Sequence, residues 1–310
     1  MDPIQRRRFI RSMATAATAT AFCSPARVKA ATTETQDNSN RFRISLNAYS
    51  FNKPLTAGTT DLFRVLEFCA DHGFDAADLT GYYFPGYPEV PPDDYLYRLK
   101  RKAHSLGLAI SGTGIRNEFA GPDAAKRNAE IVFVKKWIEA AARLGAPVIR
   151  IFTGKAIPQG YERKEVEQWI TDAISTCTDH AQRHGVILAM QNHNDFVKTA
   201  DEAISILDII NSEWFGLVLD TGSFVTNEPY QEISKTARFA VNWQVKERLT
   251  YKGQTQDMDL QRLFRIVKAS PYRGYLPIET LSPGDPFSIV PPFFRKVKNA
   301  LAEVMADGQK

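Results

Sequence analysis

Four short apolar segments in the second half of the chain end in a polar residue: LAMQ, LVLD, VNWQ and LPIE. The four polar residues are Gln191, Asp220, Gln244 and Glu279. If the segments are parallel strands, their carboxyl ends meet at one end of the sheet and bring these side chains together. Oxygen-bearing side chains gathered there can bind a divalent cation that polarises a carbonyl and helps the neighbouring carbon lose a proton. Two of the four are neutral amides, which are weaker metal ligands than a carboxylate or an imidazole.

The charge balance of this cluster leaves two interpretations open. An unpartnered buried carboxylate is costly, so Asp220 and Glu279 need a cation, an arginine or shared protons. Two carboxylates and two amide oxygens form a low-charge oxygen set that favours Mg²⁺, Mn²⁺ or Ca²⁺ over Zn²⁺. Lys246 and Arg150 could instead supply the positive charge without a metal.

Strand periodicity indicates which further groups lie beside the cluster. Because side chains alternate along a strand, placing Gln191 inside also places His193 inside, and Gln244 does the same for Lys246. His193 and Lys246 are therefore candidate catalytic groups next to Glu279. The other histidines fall in the last turns of predicted helices, where an imidazole stabilises the negative helix end, and we expect structural roles for His72, His104, His180 and His184.

From Arg41 onward, short apolar strands alternate with amphipathic helices about eight times. Such alternation predicts a parallel sheet with right-handed crossovers, and eight units predict an α/β fold of the (β/α)₈ TIM-barrel type. We expect a single domain over residues 41–305 and a short tail over 306–310. A doubly wound open sheet is the alternative, but no Gly-x-Gly-x-x-Gly turn follows the first strand. No nucleotide cofactor is expected. Glycines are expected to end several helices, at Gly73, Gly107, Gly145 and Gly185.

The loops after the strands carry the functional site in a barrel of this kind. Long loops are expected at 80–92, 112–122, 153–162, 247–257 and 280–292. Their aromatic, amide and charged side chains suit stacking on sugar rings and hydrogen bonding to them, although tyrosines and prolines also pack long loops. The candidate substrate-binding residues at the strand ends and on the loops are Asn47, Tyr83, Arg116, Asn117, Arg150 and Glu247.

Composition describes an ordinary globular protein and excludes some classes of partner. The 310 residues are 44% hydrophobic and 24% charged, with a net charge of +4 to which the N-terminal arginines contribute. No basic stripe follows, so nucleic-acid binding is not expected. No later stretch reaches the apolar length of a membrane span. Cys69 and Cys177 lie in helical patterns and are expected to be buried, unpaired thiols. Self-association into a homo-oligomer stays open.

The N-terminus is typical of an export signal over residues 1–30. It has a charged start, a weakly apolar small-residue run and a Val-Lys-Ala exit. The pair Arg6-Arg7, with two apolar residues close behind, resembles a twin-arginine signal and predicts a periplasmic location. Cys23 lies inside this segment, but the residue before it does not fit the cleavage pattern of a lipid anchor. Residues 31–40 are small and polar and are expected to form a flexible leader.

Four motifs in order, GFDAADLTG, QNHND, LDTGS and IETL, resemble the xylose-isomerase-like TIM-barrel family of sugar isomerases and epimerases. The resemblance covers nearly all of the chain after the predicted signal and implies a carbohydrate substrate. In the ketose 3-epimerases of that family, Glu, Asp, His and Glu on strands five to eight bind the metal. Those positions fall here on Gln191, Asp220, Gln244 and Glu279. The family's lysine two residues after the histidine is retained as Lys246.

The amides change the chemistry that the resemblance implies. In the epimerases, the two glutamates also form an acid/base pair on opposite faces of the sugar carbon. The amide of Gln191 cannot accept a proton at neutral pH, which leaves Glu279 as the base and His193 or Lys246 as the acid. One base suits isomerisation on a single face, or β-elimination, better than two-base epimerisation.

Three functions follow from this reading of the site. The first is a carbohydrate isomerase or epimerase that removes a proton next to a sugar carbonyl through an enediolate. The second is a lyase that acts on 3-keto-glycosides outside the cytoplasm. The third is a non-catalytic sugar-binding barrel in which the amides mark lost activity. An endonuclease on the same barrel would need more histidine ligands and a basic face, neither of which the sequence provides.

Overall fold

The computed structural model describes residues 42–307, in which eight parallel strands close into a barrel surrounded by helices. The strands in chain order are β1 (Arg43–Asn47), β2 (Ala76–Thr80), β3 (Ala109–Gly114), β4 (Val148–Ile151), β5 (Ile187–Gln191), β6 (Phe215–Asp220), β7 (Ala240–Lys246), β8 (Arg248–Tyr251), β9 (Gln254–Asp257) and β10 (Tyr275–Glu279). Around the barrel the order is β1, β10, β7, β6, β5, β4, β3, β2, while β8 pairs with β9 outside it. The single (β/α)₈ barrel predicted from the strand–helix alternation is confirmed.

The helices form the outer layer of the barrel. They are α1 (Asn52–Thr56), α2 (Leu62–His72), α3 (Asp93–Ser105), α4 (Ala124–Leu144), α5 (Arg163–Arg183), α6 (Ala200–Ile210), α7 (Pro229–Thr236), α8 (Leu260–Ala269) and α9 (Pro286–Ala306). Asp61 and Asp123 accept backbone N–H groups at the starts of α2 and α4. Gly73 and Gly145 end these two helices in the left-handed region, at φ 77° and 82°, as predicted.

Most of the apolar core lies between the outside of the barrel and the helices. Trp243 on β7 faces this layer and is fully buried, as its strand position predicts. A second, small apolar cluster contains Val148, Ala189 and Val218, which lie on three adjacent strands of the barrel. Because residues two apart share a face of a strand, this cluster also fixes the direction of the residues that follow it.

One segment expected to be a loop is a β-hairpin. Residues 247–257 contain β8 and β9, which pair antiparallel from Arg248 opposite Asp257 to Tyr251 opposite Gln254. Lys252 and Gly253 connect the strands at φ 49° and 77°, the positive values that a tight two-residue hairpin turn requires. The Lys-Gly pair was the available sequence signal for this turn.

The expected loop at 280–292 is also shorter than predicted, because α9 begins at Pro286. Proline is favoured in the first turn of a helix, where its missing N–H has no helical partner to lose. The Asp285 side chain accepts the N–H of Phe287 and caps this start. Pro291 and Pro292 lie inside the helix, and their presence explains why the sequence indicated a loop there.

Several predictions concern parts of the chain outside residues 42–307. The export signal, the flexible leader and Cys23 lie outside the described residues. Within the described range, α9 ends at Ala306, and Cys69 and Cys177 are buried free thiols, as predicted. None of the helices in this range is both long and apolar enough to cross a membrane.

Candidate active site

A cleft of about 450 Å³ opens at the carboxyl ends of the barrel strands. Arg150, Gln191 and Asp220 each lie two residues after a member of the inner apolar cluster, so strand alternation directs them to the same side. Most of the residues proposed from the sequence line this cleft: Asn47, Arg116, Asn117, Arg150, Gln191, His193, Gln244, Lys246 and Glu279.

The four strand-end residues come together because their strands are neighbours in the barrel. Strands β5, β6, β7 and β10 are consecutive in it, and Asp220 lies opposite Gln244 in the β6–β7 register. Gln191 Nε2 donates to Asp220 Oδ2 at 2.7 Å. Gln244 Nε2 donates to Glu279 Oε2. All four side chains are buried.

Lys246 lies between the two carboxylates. It is opposite Glu279 in the β7–β10 register, and its Nζ donates to Glu279 Oε1 and lies 3.5 Å from Asp220 Oδ2. Burial opposes the charged form of this lysine, but the negative charges of Asp220 and Glu279 together outweigh it and raise the pKa of Lys246. The predicted cluster therefore contains its own cation.

The direction in which the amide and ammonium groups point decides whether these side chains could bind a divalent cation. Mg²⁺, Mn²⁺ and Ca²⁺ bind lone pairs on oxygen, so each amide would have to present its carbonyl oxygen to the same point as the carboxylates. Here the NH₂ groups of Gln191 and Gln244 point at the carboxylates, and the ammonium of Lys246 lies between these two acids. As folded, these residues do not fit a divalent cation.

His193 lies at the rim of the cleft, two residues beyond the end of β5. Its Nδ1 is 2.9 Å from Asp195 Oδ2, and its ring packs edge-on against Phe152 with centroids 4.9 Å apart. About half of the His193 side chain is exposed. The carboxylate of Asp195 orients the imidazole and leaves Nε2 available to a ligand in the cleft.

Arg150 and Arg116 contribute positive charge to one wall, and Tyr82 connects them. The guanidinium of Arg116 stacks on the Tyr82 ring at 4.3 Å from its centroid, and the Tyr82 hydroxyl accepts a hydrogen bond from Arg150. Arg150 also donates to the Ile115 carbonyl at 2.6 Å. A Cβ at Gly114 would lie 2.9 Å from Arg150 Nε, so the glycine leaves room for this guanidinium. From the sequence, Tyr82 was one of several loop aromatics suited to stacking on a sugar, but its neighbour Tyr83 was the predicted substrate-binding residue, and Gly114 was not predicted to take part.

A buried acid inside the barrel was also missed. Asp78 on β2 accepts a hydrogen bond at 3.1 Å from Asn242 on β7. Burial raises the pKa of Asp78 to about 6, although the charge of Arg150 opposes the increase. A Cβ at Gly112 would lie 2.6 Å from Asp78 Oδ2, so this strand glycine makes room for the carboxyl group. Glycine inside the SGTG strand was the available signal.

Two of the proposed substrate-binding residues have other contacts. Tyr83 does not line the cleft, because its hydroxyl donates to Asn52 Oδ1 at 2.9 Å. Glu247 lines the adjoining second cleft instead of this one, and its Oε2 accepts the N–H groups of Leu281 and Ser282 at 2.9 and 3.1 Å. It therefore holds the loop after β10.

Two proposed residues that line the cleft, Asn117 and Asn47, form hydrogen bonds with the backbone of its wall. Asn117 exchanges two hydrogen bonds with the backbone of Phe152, both at 2.8 Å. Asn47 Oδ1 accepts the N–H of Tyr49 at 2.9 Å. Both amides fix the walls of the cleft.

A second cleft, of about 350 Å³, adjoins the first. Both are lined by His193, Lys246 and Glu279. The second extends toward the β8–β9 hairpin and includes Arg248 and Thr255. The proposed catalytic groups therefore lie where the two clefts meet, and a ligand with two units could occupy both.

Two of the four histidines predicted to be structural form a separate group with Glu139 on the helix layer. His180 Nε2 is 3.1 Å from Glu139 Oε1, and the rings of His180 and His184 are 4.5 Å apart. In residues 42–307, these three form a His/Glu group whose ligand atoms lie within 4.8 Å of one another, close enough to hold a metal ion. They belong to α4 and the end of α5, not to the strand-end cluster.

These observations define a (β/α)₈ barrel with a polar cleft over the carboxyl ends of its strands, the class in which enzyme sites lie at that face. Residues 66–299 match the family model described as xylose isomerase-like TIM barrel. The chain belongs to that family.

Solved structures share the fold at low sequence identity. One of L-ribulose 3-epimerase has a TM-score of 0.70 and 16% identity, and the match covers 86% of this chain and 97% of that chain. The structure of 3-keto-D-glucoside 4-epimerase from E. coli has a TM-score of 0.64 and 13% identity, and the match covers 86% of this chain and 99% of that chain. The structure of IolI with a bound zinc atom has a TM-score of 0.64 and 19% identity, and the match covers 86% of this chain and 98% of that chain. Matches at this identity show the common fold.

Proposed function

We propose that this protein is a carbohydrate isomerase or epimerase-like enzyme that removes a proton next to a sugar carbonyl and proceeds through an enediolate. The observation that carries the proposal is Glu279, a buried carboxylate at the end of β10 that lines both clefts. The surrounding wall of arginine, amide and aromatic groups is suited to a sugar. Two of the similar solved structures are sugar epimerases, which agrees with this class of reaction.

Glu279 is the base in this mechanism. A carboxylate has about four acceptor positions, and the donors from Gln244 and Lys246 use two of them, so Glu279 can still accept a proton. It takes the proton from the carbon next to the carbonyl. The C–H electron pair forms the new C=C bond, and the carbonyl π pair moves to oxygen to give the enediolate. The hydroxyl proton on the deprotonated carbon then passes to the enediolate oxygen, and the freed O–H electron pair forms the new carbonyl there. The C=C pair takes the proton from Glu279 at the former carbonyl carbon, which gives the isomer.

The chemistry should occur on one face of the sugar. The amide of Gln191 cannot accept a proton, so the cluster holds no second carboxylate base at that position. Glu279 can both remove the proton and return it to the same face. Inversion of a stereocentre would need a donor on the opposite side, and His193 at the rim is the candidate.

The two adjoining clefts favour a second candidate, a lyase acting on 3-keto-glycosides. A glycoside could place its oxidised ring in one cleft and its leaving group in the other. Glu279 would remove the C2 proton, the electron pair would form the C1=C2 bond, and the C1–O bond would break. The departing oxygen would take a proton from His193.

A screen in D₂O tests both candidates. Ketoses, aldoses, glycosides and their 3-keto derivatives are incubated with the protein, and mass spectrometry and NMR follow deuterium and products. Deuterium at a carbon next to the carbonyl supports proton abstraction, and a released aglycone identifies the lyase. Sugar binding with neither deuterium exchange nor a new product for any of the sugars would contradict both and indicate a non-catalytic barrel.

Export to the periplasm in a folded state is part of this proposal, and the N-terminal arginine pair supports it. The Mg²⁺, Mn²⁺ or Ca²⁺ predicted from the sequence at the four strand-end residues does not fit the arrangement of Gln191, Gln244 and Lys246 described above. Metal analysis of the purified protein tests that prediction.

A further inference from the structure

Asp220 and Glu279 need positive charge close by, because their side chains are 0% and 1% exposed. A buried carboxylate is retained at an acceptable cost only when it is paired and its oxygens receive hydrogen bonds. The source of that charge determines what acts as the electrophile in the reaction.

Donors of the protein satisfy all four oxygens of these two carboxylates. Asp220 Oδ1 accepts the N–H of Gly222 at 2.9 Å, and Oδ2 accepts from Gln191 at 2.7 Å and lies 3.5 Å from Lys246 Nζ. Glu279 Oε2 accepts from Gln244, and Oε1 accepts from Lys246. The set is complete without a further cation.

The chain also makes room for the lysine. A Cβ at Gly222 would lie 2.8 Å from Lys246 Cγ, so the glycine of the LDTGS motif provides space for the lysine stem. The Lys246 N–H donates to the Thr221 hydroxyl at 3.0 Å, which holds its backbone beside that loop. These contacts set the position of the lysine side chain, which is 11% exposed.

We propose that the ammonium group of Lys246 takes the place of a divalent cation in this site and is the electrophile that stabilises the enediolate. An ammonium has three N–H donors, and two face Glu279 and Asp220. The third can point into the cleft that Lys246 lines and donate to the oxygen that gains the carbonyl electron pair. This inference rests on the proposed enolisation and makes it independent of metal.

Metal binding to the unmodified site tests the proposal directly. The surface group could bind a metal on its own, so H180Q/H184Q is the background variant. After dialysis against EDTA, Mn²⁺ is titrated and followed by electron paramagnetic resonance and calorimetry. We expect no stoichiometric binding tighter than about 1 mM, the weak end of protein sites for such ions. One bound Mn²⁺ per chain with a dissociation constant below about 10 μM would overturn the proposal.

A gain-of-function variant shows that the assay can detect a metal site here. In the same background, Gln191→Glu, Gln244→His and Lys246→Met remove the ammonium and supply stronger ligands. We expect this variant to bind Mn²⁺ at least tenfold more tightly than the background protein. Equal affinities would contradict the assignment of Lys246 as the group that excludes the cation. Circular dichroism confirms folding, and the measurement on the background protein holds even if this variant does not fold.

Deuterium exchange separates this inference from the proposed function. Exchange that continues at an unchanged rate in metal-free protein supports both. Exchange that requires added Mn²⁺ overturns the role of Lys246 and leaves the enolisation standing. If no sugar exchanges under either condition, the proposed function fails, and the Mn²⁺ titration still decides whether the lysine excludes a cation.

Discussion

Lys246 and Asp220 form an ion pair inside the barrel, with Nζ 3.5 Å from Oδ2. The same ammonium group donates to Glu279. One cation on β7 therefore faces the carboxylates at the ends of the two strands that flank it. This relationship determines the charge balance of the cleft.

Replacement of Glu279 by glutamine should abolish most of the enolisation. The amide keeps the shape of the side chain but cannot take a proton, and loss of a general base costs about 10²- to 10⁴-fold in rate. Deuterium incorporation into an identified substrate measures the effect. Glu165→Gln, an exposed change on α5, is the matched control and should leave the rate unchanged. An unchanged rate in Glu279→Gln would show that another group is the base.

Replacement of Lys246 by methionine should destabilise the protein. Two buried carboxylates then lose their cation, and removal of one partner from a buried ion pair costs about 3–5 kcal/mol. The free energy of unfolding in urea measures the change. Lys235→Met is the control, because Lys235 makes an exposed pair with Asp201 at 3.4 Å, worth at most about 1 kcal/mol. Equal effects of the two changes would argue against the pairing described here.

Replacement of Arg116 by glutamine should weaken substrate binding more than it slows the chemical step. Arg116 stacks on Tyr82 in the wall of the cleft, away from the carboxylate cluster. The variant would lose one hydrogen bond from Arg116 to the substrate, worth about 1–1.5 kcal/mol of binding free energy. This loss corresponds to a rise in KM of roughly 5- to 12-fold, with kcat nearly unchanged. Arg98→Gln, which breaks an exposed pair with Asp94, is the control. A fall in kcat with KM constant would place Arg116 in the chemistry instead.

Asp78 should make stability depend on pH. Its pKa is about 6 in the folded protein against an ordinary 3.8, so the folded state binds the proton more tightly. Asp78 therefore adds stability below about pH 4, and this contribution is lost as the pH rises to about 6. The difference corresponds to at most about 3 kcal/mol.

The comparison that isolates this effect is wild type against Asp78→Asn, by urea unfolding from pH 4 to pH 7. The stability of the variant relative to wild type should rise over that range, since asparagine does not titrate. Asn242, Arg150 and Glu279, which act on Asp78, are unchanged in both proteins. A difference that stays constant with pH would show that Asp78 does not titrate in this window.

Replacement of Arg6 and Arg7 by lysines should block export. The paired arginines are the feature that resembles a twin-arginine signal, and lysines keep the charge without it. Cell fractionation with antibody detection should show the protein retained in the cytoplasm. Arg11→Lys, a change outside the pair, is the control. Unaltered periplasmic protein in the double variant would indicate a different route.

Local patterns in the chain were enough to predict the barrel and its strand-end cluster. The alternation of strands and helices, with glycines at the helix ends, predicted the architecture. It could do so because the spacing of apolar residues along the sequence differs between strands and helices. Gln191, Asp220, Gln244 and Glu279 could be grouped in advance, since parallel strands place their carboxyl ends at one face. The hairpin at β8–β9 was missed because its short polar strands bury little apolar surface.

Which partner each polar side chain meets was decided by the tertiary structure. Asp78 and Asn242 pair across the barrel although they are 164 residues apart, and Tyr82, not Tyr83, lines the cleft. Periodicity places Lys246 on the inner face, but its long flexible stem could reach several groups. Closure of the barrel and the space at Gly222 direct it to Asp220 and Glu279. Strand period sets the face of a residue from local sequence alone, whereas contacts between distant strands depend on register and packing that only the folded chain defines.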